Sequence, residues 1–118
     1  MIYADLISME NQLMKISIVD KPVPIKTAMK LYRNLTEVER ALEPCKKMRN
    51  DIINKYHSPK PEDENYKDFQ HDIEELITLD TEVTFEKVPV EDLEKMELTM
   101  HQIAAIYPMI VEGGETNG

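Results

Sequence analysis

The longest periodic run of apolar residues lies in the first half of the chain. Apolar positions recur there at alternating spacings of three and four, which is typical of one face of an α-helix. Only Arg49 falls out of phase, and Pro44 lies within the run. The run comprises Ala28, Leu31, Leu35, Val38, Leu42, Cys45, Ile52 and Tyr56. This seam predicts one long helix, whose apolar face must be covered by another helix.

The long helix is expected to begin at about Ile25, directly after Pro24, and to end at about Tyr56. A proline inside a helix removes one backbone hydrogen bond and crowds the preceding turn. Because the apolar spacing passes through Pro44 unchanged, we expect a kinked but continuous helix there. At a rise of 1.5 Å per residue, its length is roughly 48 Å.

Two further helices follow from the same periodicity. Residues 4–17 carry apolar positions at threes and fours, although 16–19 also fit a short strand. Residues 58–65 contain two prolines and no large apolar side chain, which indicates a loop. Residues 66 to about 79 repeat the helical spacing. The short loop predicts that the second and third helices form a long antiparallel hairpin.

The pattern changes its period after Thr81. Residues 82–88 alternate and favour a short strand or hairpin, and Pro89 ends it or marks an edge. Residues 90–97 are typical of a turn or a single helical turn. Thr99 and Gln102 have the spacing of a capping box, which predicts a short helix to about Tyr107.

These elements place the chain among mostly α (α+β) proteins, with N- and C-terminal helices flanking the hairpin. The length of 118 residues is that of one domain. We expect a single helical domain over 1–111 and a loose tail over 112–118, where all three glycines and no core-forming side chain lie.

Charge is distributed unevenly along the chain. The net charge of −9 disfavours nucleic acid as a partner, because binding phosphate requires a cationic surface. Residues 26–60 contain nine Lys or Arg and four acids, whereas residues 62–97 contain fourteen acids and three Lys. Either a basic helix packs beside an acidic one with complementary rims, or the acidic segment is a face for a basic partner.

Candidate chemistry is sparse. The single cysteine, Cys45, lies on the apolar seam and is expected to be buried. His57, His71 and His101 share no metal-ligand spacing, so neither a metal nor another cofactor is predicted. No nucleophile elbow or phosphate loop is present in the sequence. An enzyme is therefore not expected, unless Cys45 or a histidine lies in a concave pocket beside a carboxylate.

The hydropathy pattern also predicts the compartment. No run of about twenty apolar residues appears, so no membrane span is expected. No basic segment followed by an apolar run opens the sequence, so no secretory signal is expected. These observations favour a location in the cytoplasm.

Several short motifs resemble those of a known group of proteins. They are residues 22–28 leading into the long charged helix, Leu42-Glu43-Pro44, residues 82–85, residues 88–93 and residues 103–110. Together they are similar to small proteins of unknown function encoded in phages and prophages of Gram-positive bacteria. The resemblance covers about residues 13–110. It implies a small accessory phage protein and transfers no catalytic residue.

The long seam, the missing chemistry and the acidic segment favour a non-enzymatic protein that acts by protein–protein interaction. One version is a regulator or inhibitor that binds a host or phage protein. The alternative is a virion-assembly or structural component that self-associates through the seam into a homo-oligomer. The candidate interface residues are Asp68, Asp72, Glu74 and Glu75 on the acidic helix, and Leu35, Val38 and Leu42 on the seam.

Overall fold

The structure is a computed structural model that describes residues 1–17 and 22–112. Within these residues the chain is mostly helical and carries a small parallel sheet. The α-helices are α1 (Tyr3–Ser17), α2 (Ile25–Lys55), α3 (Tyr66–Ile77) and α4 (Met100–Ile106). Two 3₁₀ helices span Val90–Met96 and Tyr107–Met109, and the strands are β1 (Val88–Pro89) and β2 (Ile110–Val111).

Helix α2 runs without interruption through Pro44. The expected continuity is thus present, and the helix ends one residue earlier than predicted. Pro44 is exposed, whereas Val38, Leu42 and Cys45 around it are buried. Burial of these apolar side chains offsets the backbone hydrogen bond that the proline removes. The chain leaves the helix through two residues in the left-handed region, at 57 and 58.

The core lies between α1 and the middle of α2. The predicted stripe on α1 is buried, with Leu6 and Met9 completely inaccessible to solvent. It packs with the buried seam of α2 and with residues from the C-terminal third of the chain. Those later contributors are Val88, Leu93, Met96, Ile106 and Met109. The C-terminal elements therefore help to cover the apolar seam of α2.

Helix α3 packs near the C-terminal end of α2. The rings of Tyr56 and Phe69 meet edge to face, with 5.9 Å between centroids. Leu76 is buried, and Met48, Ile52 and Leu76 line one shared depression between the helices. The contact surface of α3 is therefore its apolar stripe, as the periodicity predicts.

The strand expected over 82–88 is present only at its end. Residues 81–87 form neither strand nor helix, and β1 begins at Val88. It pairs in parallel with β2, so the chain forms no hairpin there. The physical reason lies at Glu86, whose backbone N–H and C=O are both bonded by the side chain of Asn34 on α2. A side-chain amide thus takes the place of a neighbouring strand.

The capping box predicted in the C-terminal part of the chain is present. Thr99 Oγ1 accepts a hydrogen bond from the Gln102 N–H at 3.1 Å, and Gln102 Oε1 accepts one from the Thr99 N–H at 2.9 Å. This capping box opens α4, as expected. Residues 90–97, expected to form a turn or a single helical turn, instead contain the first 3₁₀ helix, whose seven residues make about two turns. It ends where Glu97 adopts a φ of 53°.

Two predictions fall outside the described residues in whole or part. The tail is described only at 112, and the alternative strand over 16–19 only at 16 and 17, where the chain is helical. Among the described helices, none has both the length and the apolarity needed to cross a membrane.

Candidate interaction surface

Over its first three turns, α2 does not fully bury the residues that the seam predicts. Its buried positions there are two polar residues, Thr27 and Asn34. Ala28 is exposed, and Leu31 and Leu35 are half-buried. Thr27 and Asn34 each precede a seam residue by one position, or about 100° around the helix axis, so the buried side of these turns is shifted toward them. This shift leaves part of the apolar seam toward the edge of the molecule.

The two polar residues are buried because each one bonds the segment that follows α3. Thr27 Oγ1 donates to an Asp92 carboxylate oxygen. Asn34 Oδ1 accepts from the Glu86 N–H at 2.8 Å, and its Nδ2 donates to the Glu86 C=O at 2.9 Å. Buried polar side chains are tolerated where such partners are present. The segment 81–92 is thereby held against one side of α2.

An apolar groove lies on another side of α2, beside the C-terminal end of α1. Its volume is about 280 Å³. Its walls are mainly aliphatic, with the ring of Tyr32 at one edge and Met96 from the first 3₁₀ helix. The remaining lining residues are Leu13, Ile16, Ser17, Val23, Ala28, Leu31 and Leu35. We call this feature the α1/α2 groove.

Large apolar side chains continue from this groove onto the outer surface of α2. Ile25, Met29 and Tyr32 are 78%, 52% and 65% exposed. Their spacing of four and three places them on one stripe of the helix, which we call the α2 face. Met14 on α1 is 54% exposed and lies one turn before Ser17, which lines the groove. Contiguous apolar surface of this kind marks interaction sites on monomeric proteins.

A cationic stripe runs beside the α2 face. Lys26, Lys30 and Arg33 each follow a residue of the face by one position, so they repeat its spacing. Arg33 pairs with Glu86 through two hydrogen bonds, which hold the pKa of that carboxyl below its ordinary value. Lys30 Nζ donates to the Lys87 carbonyl at 3.1 Å. Counting Asp92, which Thr27 binds at the same edge, three cations lie against two carboxylates, so the edge keeps a small positive excess in an acidic protein.

Asp72, one of the predicted interface residues, has a structural contact on α3. The Tyr56 hydroxyl donates to Asp72 Oδ2 at 2.8 Å, and Lys55 Nζ lies 3.4 Å from the same oxygen. The Tyr56 hydrogen bond, followed by the Lys55 contact, holds the pKa of Asp72 below its ordinary value, and partial burial opposes them. Asp72 therefore joins α3 to α2 in addition to facing solvent.

The other acidic candidates lie on the solvent side of α3. Asp68 and Glu74 are exposed, and Glu75 Oε1 lies 2.9 Å from His71 Nε2. Asp72 and Glu75 line one shallow depression, which Asp51 of α2 also lines, whereas Asp68 and Glu74 do not. The acidic candidates thus share a helix but do not converge on one site.

The predicted interface residues on the seam also lie in different environments. Val38 and Leu42 are 0% and 1% exposed and belong to the core, so neither offers surface to a partner. Leu35 is half-buried and lines the α1/α2 groove. The periodicity located the seam, but it did not identify Ile25, Met29 and Tyr32 beside it. Their shared spacing of four and three was the signal that could have found them.

Some of the unevenly distributed charges form ion pairs within the chain. Arg33 pairs with Glu86, and Lys55 contacts Asp72, so two ion pairs join the basic segment 26–60 to the acidic segment 62–97. These pairs favour the interpretation of complementary rims. Surface ion pairs contribute little to stability, typically about 0.2–1 kcal/mol each, so their main effect is on how the segments align.

One depression brings together residue types found in hydrolases. Asp5, Ser8 and His101 line it, together with Met1, Ala104, Ala105 and Pro108. A catalytic triad requires hydrogen bonds from nucleophile to base and from base to carboxylate. No hydrogen bond or ion pair joins these three side chains in the part of the chain that the structure describes. Their arrangement therefore lacks the geometry of an activated nucleophile.

Neither Cys45 nor the acidic residues suggest other chemistry. Cys45 is buried, and burial raises the pKa of its thiol, which disfavours the reactive thiolate. Over residues 1–17 and 22–112, no group of three or more His, Cys, Asp or Glu is placed to hold a metal ion.

Comparison of the chain with protein-family models, with curated proteins and with solved structures finds no match. The arrangement of side chains is therefore the basis for any proposal about function.

Proposed function

We propose that this chain is a non-enzymatic accessory protein of a phage or prophage that acts by binding another protein, as a regulator or inhibitor in the host cytoplasm. The observation that carries the proposal is the α2 face, with three large apolar side chains more than half exposed beside an apolar groove. The phage origin rests on the short motifs that resemble such proteins.

The surrounding architecture supports a rigid platform for docking. We infer that α2 and α3 form an antiparallel hairpin, because Tyr56 contacts Asp72 and Phe69 while Met48, about two turns earlier, lines the same depression as Leu79. A kink at Pro44 rests on the backbone hydrogen bond that a proline inside a helix removes. The α2 face lies at the opposite end of α2 from this hairpin contact. A surface carried by a long helix packed on a core needs little ordering when it binds, which favours affinity.

Affinity capture from lysates of infected and uninfected Gram-positive host cells tests the proposal. The decisive variant is Met29→Glu with Tyr32→Glu, which places charge on exposed positions and should leave the fold intact by circular dichroism. The matched control is Asp68→Lys with Glu74→Lys on α3. Asp72 is left unchanged, because it holds α3 to α2.

We expect the wild type and the α3 variant to retain the same bound protein, and the α2-face variant to lose it. Loss in the α3 variant with retention in the α2-face variant would instead assign binding to the acidic helix. Retention by both variants would contradict a role for either surface.

A second candidate function is self-association, as in a virion-assembly component. The exposed side chains of Met100, Ile103 and Tyr107 form another apolar stripe, on α4 and the turn after it. A protein with two different apolar surfaces can assemble head to tail into rings or filaments. Light scattering over a range of concentrations tests this: mass should rise with concentration, and a Met100→Ser, Tyr107→Ser variant should stay monomeric.

A further inference from the structure

The chemistry around the α2 face restricts what can occupy it. We propose that the α1/α2 groove and the α2 face receive one amphipathic helix of another protein, with large apolar side chains on its contact side and acidic residues along one flank. This inference rests on the proposed function, since it specifies the partner at the same surface.

The shape of the surface suits a helix. A groove between two packed helices accepts the ridge of side chains that a third helix presents at spacings of three and four. The α1/α2 groove has a volume of about 280 Å³, enough for one or two large apolar side chains. The α2 face then extends the contact beyond the groove. Its Met and Tyr side chains are residue types that adapt to, or anchor, a helical partner.

The charge beside the face determines the sign of the partner's flank. Lys26, Lys30 and Arg33 run parallel to the α2 face, one residue later along the helix. Arg33 is neutralised by Glu86, whereas Lys30 contacts a backbone carbonyl. Lys26 is exposed. Acidic side chains on the partner would complement this edge.

The same charges disfavour a two-fold dimer formed through this face. A two-fold contact places the same patch opposite itself, so the cationic edge would meet its own copy or the face would be offset. Each copy also carries a net charge of −9, and the copies repel each other at long range. A different protein with an acidic flank would not place like charges opposite each other at the contact.

A membrane surface fits less well than a helix. An anionic bilayer would attract the cationic edge, but the net charge of −9 opposes its approach. A bilayer is also flat on this scale and would leave the concave groove unfilled. The observations therefore favour a protein helix.

Two synthetic helical peptides test the inference directly. They share the same Leu, Ile and Phe residues at helical spacing, and one carries Glu along its flank where the other carries Lys. Fluorescence anisotropy with the full chain measures both affinities at low and high salt. We expect the Glu peptide to bind about fivefold more tightly, as two exposed ion pairs predict, and salt to reduce the difference.

Matched charge reversals on α2 separate local from global electrostatics. Lys26→Glu lies beside the α2 face, and Lys47→Glu makes the same change in charge at an exposed position near the other end of the helix. Lys26→Glu should remove the preference for the Glu peptide, and Lys47→Glu should retain it. Tyr32→Ser should weaken both peptides, because it removes a shared apolar contact.

Each contrary outcome has a distinct meaning. Equal binding of both peptides, or preference for the Lys peptide, overturns the acidic flank and leaves docking at the α2 face standing. Binding of neither peptide overturns the helical partner, while the capture experiment still judges the proposed function. A dimer that Tyr32→Ser dissociates, or binding to vesicles containing phosphatidylserine, assigns the face to another occupant and overturns the inference.

Discussion

Removing the hydrogen bonds of the Asn34 side chain should reveal most about this fold. It is 1% exposed, and it bonds both the N–H and the C=O of Glu86. Its Nδ2 also lies 3.3 Å from Met109 Sδ. Among residues 1–17 and 22–112, no strand pairs with residues 82–87, so Asn34 supplies hydrogen bonds that a neighbouring strand would otherwise make. We predict that Asn34→Ala destabilises the chain and releases this segment.

The magnitude follows from the two hydrogen bonds. Each contributes a net stabilisation of about 1 kcal/mol, so their loss together costs roughly 2 kcal/mol. The lost contact with Met109 in the core raises the cost, while water that reaches the Glu86 backbone lowers it. With a urea m-value of about 2 kcal/mol/M, the midpoint of unfolding should fall by roughly 1 M.

Urea unfolding followed by circular dichroism measures this change, and Asn50→Ala is the matched control. Asn50 is an exposed asparagine on the same helix, and its substitution should alter the free energy of unfolding by less than about 0.5 kcal/mol. Amide hydrogen exchange at Glu86 should accelerate in the Asn34 variant ahead of global unfolding. A change in stability no larger than the control's, or unchanged exchange at Glu86, would refute the reasoning.

Three further substitutions test other contacts. Tyr56→Phe removes the hydrogen bond that lowers the pKa of Asp72. The stabilisation from that bond is present above the carboxyl's unfolded pKa and is lost as pH falls through its folded pKa. The urea midpoints of variant and wild type should therefore differ at about pH 7 and converge in acid. Leu42→Ala opens a cavity at a position 1% exposed and should cost about 2–5 kcal/mol by calorimetry, whereas exposed Leu79→Ala should cost far less. Thr99→Ala removes the capping box and should cost about 1 kcal/mol by urea titration, whereas Thr99→Ser should restore it.

Helix positions were predictable because their signals are local. Periodicity identified α1, α2 and α3 to within one or two residues at most ends, and the spacing of Thr99 and Gln102 identified the start of α4. These inferences needed only neighbours in sequence.

The segment over 82–88 was harder, because its environment depends on a residue far away in sequence. Alternation places Val83 and Phe85 on one side of this segment, and both are half-buried against the core. Alternation does not reveal which groups satisfy the backbone. The partner of Glu86 is a side chain on α2, and a mid-helix asparagine is most often solvent-exposed.

The same contacts explain why the large apolar side chains exposed on α2 lie beside the predicted seam. Thr27 and Asn34 bond the segment 81–92, so that side of α2 must face the C-terminal part of the chain. A helix is rigid about its own axis, so this requirement turns Ala28 and Tyr32 away from the core and toward solvent. The polar bonds that fix the fold therefore also expose the apolar α2 face.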